Sequence, residues 1–135
     1  MAVFLQNDVQ VTINSVDLTD HVASVSWEET SAELDVTAMG DGNVNRLGGL
    51  KDGSLTLELH QDFDASEVYA TLYSLLGTVT TVTVTPTSAA VAATNPKHSV
   101  SCLVTNVPLL DGSVSDLATI SVTWPMSGAV TVLTS

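Results

Sequence analysis

The chain has very few basic residues. It holds three Lys plus Arg against fifteen Asp plus Glu, a net charge of −12 over 135 residues. Proteins that grip nucleic acid neutralise phosphates with Lys and Arg, so this composition excludes that class of protein. Thirteen of the fifteen acids precede residue 68, and the rest of the chain is mostly Val, Thr, Ser, Ala and Leu. The two halves are therefore expected to meet different surroundings.

Cysteine and long apolar runs are also scarce. Cys102 stands alone, which excludes an intrachain disulfide framework, and we expect it to be buried like most free cysteines. No stretch of 18 apolar residues occurs, and residues 1–10 lack the basic region and the apolar length of a signal peptide. The sequence therefore predicts no membrane contact and no export signal.

Motifs for catalysis and metal binding are missing as well. The three histidines, His21, His60 and His98, form no HExxH motif or other close ligand pair, so we expect them at the surface. No GxSxG elbow accompanies the many serines, and Cys102 lacks a nucleophile signature. The sequence predicts a protein that is not an enzyme and that needs no cofactor or metal.

One stretch of the chain resembles a calcium-binding loop. Asp41, Asn43, Asn45 and Asp52 occupy positions 1, 3, 5 and 12 of a possible calcium loop. Arg46 stands at position 6, where the sharp turn requires glycine, and position 12 lacks the usual glutamate. Calcium binding is therefore the disfavoured interpretation.

Apolar residues alternate with polar ones along most of the chain, the pattern of strands with one buried face. The alternating runs are residues 9–13, 23–28, 34–38, 55–59, 82–84, 100–104, 120–124 and 129–133. About eight strands in a chain of this length predict one domain, residues 1–135, that forms a mainly β antiparallel sandwich or barrel.

One segment follows a helical period instead. Residues 64–77 place apolar side chains at spacings of four, three and four, the period of one helix face. These side chains belong to Ala65, Tyr69, Leu72 and Leu76. Asp64 is the expected N-cap and Gly77 the expected stop. We expect this one flanking α-helix to lie against the open side of the sandwich, with its tyrosines used in packing.

A glycine-rich stretch separates two of the predicted strands. Residues 40–53 contain five glycines and two of the three basic residues. Because glycine leaves the backbone free to sample many conformations, we predict a long inter-strand loop that a partner orders. Its expected inter-subunit contact residues are Gly40, Asp41, Asn43, Asn45, Arg46, Leu47, Leu50, Lys51 and Asp52.

The order of these elements resembles that of phage tail tube proteins, the major tail proteins of long-tailed bacteriophages. The resemblance rests on NSVDLTDHVASVSW, LDVTAMGD before the long loop, GLKDGSLTLELHQDF, the capped helix and the ending SVTWPMSGAV. It implies stacked hexameric rings in which a loop from each subunit reaches the next ring, with Arg46 and Lys51 pairing acids of a neighbour.

The same resemblance implies the partners and the place of the protein. The partners would be further copies of the chain and other tail proteins, and DNA would pass through the lumen without specific binding. The protein would be made in the bacterial host cytoplasm and end in the virion tail. A carboxylate-lined lumen that repels phosphates fits the acidic balance, and we expect the uncharged strand in residues 79–87 to have exposed edges that neighbours pair.

Two other functions stay open at this point. A capsid decoration protein of a phage head is also small, β-rich and free of active sites. An Ig-like adhesion or carbohydrate-binding module should present exposed aromatic residues as a sugar platform. Trp27 and Trp124 alternate with small polar residues on the predicted buried face, so we expect both in the core.

Overall fold

The structure is a computed structural model that describes residue 6 and residues 8–135, so most of the segment tested for a signal peptide lies outside the described residues. Its elements in chain order are β1 (Gln10–Ile13), β2 (Val16–Asp17), a short 3₁₀ helix (Thr19–His21), β3 (Val22–Asp35), β4 (Arg46–His60), α1 (Val68–Tyr73), β5 (Val79–Thr85), β6 (Lys97–Leu103), β7 (Thr119–Pro125) and β8 (Thr131–Leu133). In the described part of the chain, no helix has the length and apolar character needed to span a membrane.

The strands form two antiparallel sheets. One has the order β2-β1-β5-β6-β8 and the other the order β3-β4-β7. The predicted mainly β antiparallel fold with one α-helix is confirmed, and among the described residues the strands form two open sheets and no closed barrel. The expectation of exposed edges for residues 79–87 is wrong, because β5 is hydrogen-bonded on both sides, to β1 and β6. Its β-branched, uncharged composition reflects a central strand.

The core lies between the sheets. Across β4 and β7 the buried pairs are Leu55 with Trp124, Leu57 with Val122 and Leu59 with Ile120. The five-stranded sheet and α1 contribute most of the remaining buried apolar side chains, which include Val11, Ile13, Val82, Val100, Cys102, Val68 and Leu72. The alternating pattern thus identified the buried face correctly, because a pleated strand places every second side chain on the same side.

Both tryptophans and the cysteine were expected in this core. Trp124 is fully buried, and its indole Nε1 donates a hydrogen bond to the Asn106 carbonyl at 3.0 Å. Cys102 is also buried, and burial raises the pKa of its thiol to about 11. Trp27 is only partly buried, and its ring meets His98 edge-on with centroids 5.9 Å apart. The prediction is confirmed for Trp124 and Cys102 and only partly for Trp27.

The helix is shorter than predicted. It begins at Val68 instead of near Asp64, because Ser66 takes a left-handed φ of 64° that no helix accommodates. Its buried residues are Val68, Thr71 and Leu72, so the face differs from the predicted one by about one position. The helix ends at Tyr73 with Ser74 as its C-cap, so the stop expected at Gly77 comes too late; Gly77 has a left-handed φ of 84° and donates its N–H to the Val104 carbonyl at 2.8 Å, not to the helix.

The longest strands form a hairpin that extends past the rest of the sheet. β3 has 14 residues and β4 has 15, but β7 pairs with β4 only from Ser54 to His60. Residues 29–53, here called the hairpin arm, therefore project from the sandwich, and within the described chain the arm's strands pair only with each other. None of the arm's side chains is buried.

The arm corrects the predicted loop. Only residues 36–45 connect the strands, whereas residues 46–53 belong to β4 and the strand expected at 34–38 ends at Asp35. The glycines of β4 allow close strand approach instead of flexibility. A Cβ on Gly49 would lie 3.2 Å from the Ala32 Cβ, and one on Gly53 would lie 2.2 Å from the Glu28 carbonyl oxygen. The conformation of these glycines is decided by their close contact with β3, which the local sequence pattern of β4 does not show.

Candidate assembly surface

The structure places all nine predicted contact residues on the hairpin arm. Gly40, Asp41, Asn43 and Asn45 lie in the connecting loop, and Arg46, Leu47, Leu50, Lys51 and Asp52 lie in β4. All nine are exposed. These residues follow one another along the arm, but their side chains lie on more than one side of the β-ribbon. Their role in contacts between subunits stays a prediction.

Side chains organise the loop at the end of the arm. The Asp41 carboxylate accepts hydrogen bonds from the Ala38 N–H at 2.8 Å and from the Asn45 amide at 3.0 Å. The Asp35 carboxylate accepts one from the Thr37 N–H at 2.9 Å, and hydrogen bonds from Thr37 lower the pKa of Asp35. These hydrogen bonds act within the loop itself, and its ordering by a partner stays a prediction.

The calcium pattern does not assemble. Asp41 and Asn45 touch, but Asp52 lies seven residues farther along the chain in β4. At the rise of a strand, that separation is roughly 20 Å. The oxygen atoms of the four candidate residues therefore cannot converge on one ion.

The outer half of the arm is amphipathic. Leu34 and Leu47 face each other across the strands and are 50% and 59% exposed. On the opposite face Asp35 lies across from Arg46, and the Arg46 guanidinium also forms an ion pair with Glu33 of its own arm. Further exposed apolar side chains on the arm belong to Val36, Met39, Val44 and Leu50. One face of the ribbon thus offers apolar area, and the other offers charge.

A second surface is the solvent face of the three-stranded sheet. Directly paired side chains on this face are Ser24 with Glu58, Ser26 with Thr56 and Glu28 with Ser54, continued on β7 by Ser121 and Thr123. Together β3, β4 and β7 carry six acids against two basic residues, a net charge of −4. The five-stranded sheet carries one acid and one lysine. Six of the thirteen acids of the N-terminal half thus lie on the three-stranded sheet, four of them within the hairpin arm.

Sequence reasoning missed an aromatic cluster beside α1. The Tyr69 and Tyr73 rings stack with centroids 5.3 Å apart, and Phe63 packs on Tyr69 at 5.1 Å. Phe63 and Tyr73 are largely exposed. The spacing of four between the tyrosines predicted that they share a helix face, but not that this face turns partly to solvent.

Sequence reasoning also misplaced the histidines, since all three are partly buried. His21 meets the Asp62 carboxylate, 41 residues away, at 2.8 Å, and Glu67 at 3.4 Å. Burial lowers the pKa of His21, but hydrogen bonds to Asp62 and Asp20 and the charges of Asp20 and Glu67 outweigh it, so the pKa is raised overall. Contacts over such separations have no local sequence signal.

Comparison with known proteins gives matches at the level of fold only. No family model matches the chain, and no curated protein matches its sequence. A chain from the virion of a native gene transfer agent particle matches with a TM-score of 0.76 and 14% identity, covering 96% of this chain and 99% of the other. A chain from the tail of an empty gene transfer agent particle, of C6 symmetry, matches with a TM-score of 0.65 and 16% identity, covering 82% of this chain and 81% of the other. A chain from the baseplate of the anti-feeding prophage matches with a TM-score of 0.53 and 10% identity, covering 99% of this chain and 98% of the other. The chain therefore has a fold that occurs in phage-like particles and their tails.

Proposed function

We propose that the chain is a structural subunit of a phage-type tail tube that assembles as stacked hexameric rings around a DNA-conducting lumen. The observation that carries the proposal is the hairpin arm, a ribbon with an exposed apolar face on a fold shared with a chain from a tail of C6 symmetry. In this role the protein is not an enzyme and resides in the virion tail.

The arm needs a partner for physical reasons. A two-stranded ribbon is at best marginally stable in water, and contiguous exposed apolar area usually marks an interaction site. Leu34 and Leu47 supply such area, and another copy of the chain is the partner that a repeating tube provides. Arg46 and Lys51 on the same arm would reach acids of the neighbouring ring, where ion pairs at a rim contribute specificity more than affinity.

The acidic sheet suits a lumen. Its solvent face carries hydroxyl groups and the carboxylates of Glu28 and Glu58, and neither Lys nor Arg lies on the part that β7 pairs. Carboxylates repel phosphates over a Debye length of about 8 Å at physiological salt, which keeps passing DNA from adhering. We assign β7, residues 22–28 of β3 and residues 54–60 of β4 to the lumen side, and the arms to contacts between rings.

Removal of the arm tests the assembly role. Replacing residues 31–51 with an Asn-Gly turn between Thr30 and Asp52 removes no buried side chain, so the variant should fold as a monomer. We expect rings and tubes from the full-length chain, and native circular dichroism but no assemblies from the variant. Circular dichroism reports whether the variant is folded, and light scattering and negative-stain electron microscopy at matched concentrations report whether each chain assembles. Tubes from the arm-deleted chain would refute the role of the arm.

Labelling of particles separates the tail from the head. Antibody raised against the purified chain, used in immunogold microscopy of particles that contain it, should mark the tail shaft along its length. Gold over the head would support capsid decoration instead. Gold only at the tip of the tail would place the chain in a baseplate, and both of these outcomes would refute a tube subunit.

A further inference from the structure

His21 lies at the centre of a cluster that joins distant parts of the chain. Its Nε2 atom lies 2.8 Å from Asp62 Oδ2 and 3.4 Å from Glu67 Oε2, and the three ligand atoms lie within 4.8 Å of one another. Its Nδ1 atom lies 2.9 Å from Asp20 Oδ1. The His21 side chain is only 16% exposed. The 3₁₀ helix before β3 and the connection between β4 and α1 thus meet at one imidazole.

The donors and acceptors of this cluster are balanced only when a proton or a metal ion adds positive charge to it. A neutral imidazole carries one N–H, so in either tautomer one ring nitrogen directs a lone pair at a carboxylate: Nε2 at Asp62 and Glu67, or Nδ1 at Asp20. Ionised carboxylates have no proton to offer, so a lone pair and two acceptors face one another unless a proton or a metal ion lies between them. With a proton on Nε2, His21 carries one positive charge against three surrounding carboxylates.

A backbone N–H fixes the orientation of the Asp62 carboxylate. Asp62 Oδ1 accepts the Asp64 N–H at 2.9 Å, which leaves Oδ2 directed at His21. Hydrogen bonds from Asp64 and His21 lower the pKa of Asp62, so this carboxylate is ionised and able to act as a ligand. The Tyr69 N–H donates to the Asp62 carbonyl at 2.9 Å and ties this residue to the start of α1.

From this geometry we propose that His21, Asp62 and Glu67 form a binding site for a divalent transition metal ion, with Zn²⁺ as the best-fitting ion. Zinc accepts imidazole nitrogen and carboxylate oxygen at about 2.0–2.2 Å, which places tetrahedral ligand atoms about 3.3–3.5 Å apart. The 3.4 Å between Nε2 and Glu67 Oε2 already fits this geometry, whereas the 2.8 Å between Nε2 and Asp62 Oδ2 must widen by about 0.5–0.7 Å. Asp20 acts as the outer carboxylate that holds the metal-bound imidazole in the required tautomer.

Binding of Zn²⁺ to the full-length chain, stripped with a chelator and desalted, tests the site. Competition with a chromophoric chelator at pH 7.5 should show one zinc per chain, with a rise in melting temperature because the ion binds only the folded state. We expect Asp62→Asn and Glu67→Gln each to weaken zinc binding at least tenfold, and Asp20→Asn to weaken it about 10- to 100-fold through orientation alone.

His98→Gln is the matched control, because His98 is also partly buried and packs on Trp27, and among the described residues it forms no ion pair with a carboxylate. It should bind zinc like the native chain. In ¹⁵N spectra, zinc should shift the Nε2 resonance of His21 and leave that of His98 in place, which keeps the test valid even if an acid variant folds poorly. Absence of saturable binding by millimolar zinc, or equal binding by Asp62→Asn, would overturn the proposal.

These measurements use unassembled chains and do not depend on the tail tube proposal. A chain that binds zinc but forms no tubes would retain the metal site and lose the assembly role. A chain that forms tubes but binds no zinc would support the assembly role and refute the metal site.

Discussion

Gly53 is the point where the hairpin arm leaves the sandwich, and we expect Gly53→Ala to weaken that junction. An added Cβ would lie 2.2 Å from the Glu28 carbonyl oxygen, 2.6 Å from Met126 Sδ and 3.1 Å from the Glu29 Cα. The methionine side chain can move aside. The Glu28 carbonyl belongs to the β3 backbone, so relief requires opening the ladder where Glu29 pairs with Gly53.

The size of the effect follows from this geometry. Overpacking that displaces backbone costs about 1–3 kcal/mol of unfolding free energy. Gly42→Ala is the matched control, because its Cβ would meet nothing within 4 Å and its φ lies outside the left-handed region. That change should be neutral or stabilise by about 0.4–1 kcal/mol through the unfolded chain. The two variants should therefore differ by roughly 1–4 kcal/mol.

Urea unfolding of the monomer, followed by tryptophan fluorescence, measures this difference. With a slope of about 1–3 kcal/mol per molar urea, the midpoint of Gly53→Ala should lie on the order of 1 M below that of Gly42→Ala. The displaced arm should also reduce tube formation by Gly53→Ala. An equal or higher midpoint for Gly53→Ala would refute the close packing at this junction.

Three other changes probe charge and burial. Arg46→Glu places a further carboxylate beside Glu33, so sedimentation should show less assembly than for the native chain, with the larger loss at low salt; unchanged assembly at low salt would contradict the ion-pair role. Cys102 should resist a thiol reagent in the native chain and react fully in denaturant, because burial raises its pKa to about 11; rapid native labelling would contradict this. With a chelator present, the native chain should exceed His21→Gln in stability most clearly below pH 6.5, the ordinary pKa of His21. This advantage should fall as pH rises through the raised folded pKa, because the proton that binds Asp62 is then lost, and urea midpoints that differ equally from pH 6 to pH 9 would contradict it.

The sequence predicted the sheets well because their signal is local. Each core strand buries one face, so Leu55, Leu57 and Leu59 alternate with polar residues, and the same logic placed Trp124 and Cys102 inside. The chain order of the elements was also readable, and it supported the resemblance that the fold matches bear out at the level of architecture.

The errors arose where distant residues decide the local conformation. Gly49 and Gly53 were interpreted as flexible, yet they let two backbones approach closely, which depends on β3 as much as on β4. The start of α1 depends on the left-handed Ser66, a conformation without a clear single-residue signature. His21 acquired its partners from a loop 41 residues away. For the two glycines and for His21, the contact that decides the conformation joins residues far apart in the chain, and no local period or spacing encodes it.

The arm also sets the balance of forces in any assembly. Residues 29–53 carry five acids and two basic residues, so arms that meet carry a net charge of −3 each and repel one another. Leu34 and Leu47 are half-exposed in the monomer, so the exposed half of their apolar area is available to offset that repulsion, at roughly 25 cal/mol per Å² removed from water. Salt screens the repulsion but leaves the apolar contribution largely unchanged. If the acids drive arms apart and the leucines hold them together, moderate salt should strengthen the assembly of the native chain. If ion pairs alone held the arms together, the same salt should weaken assembly.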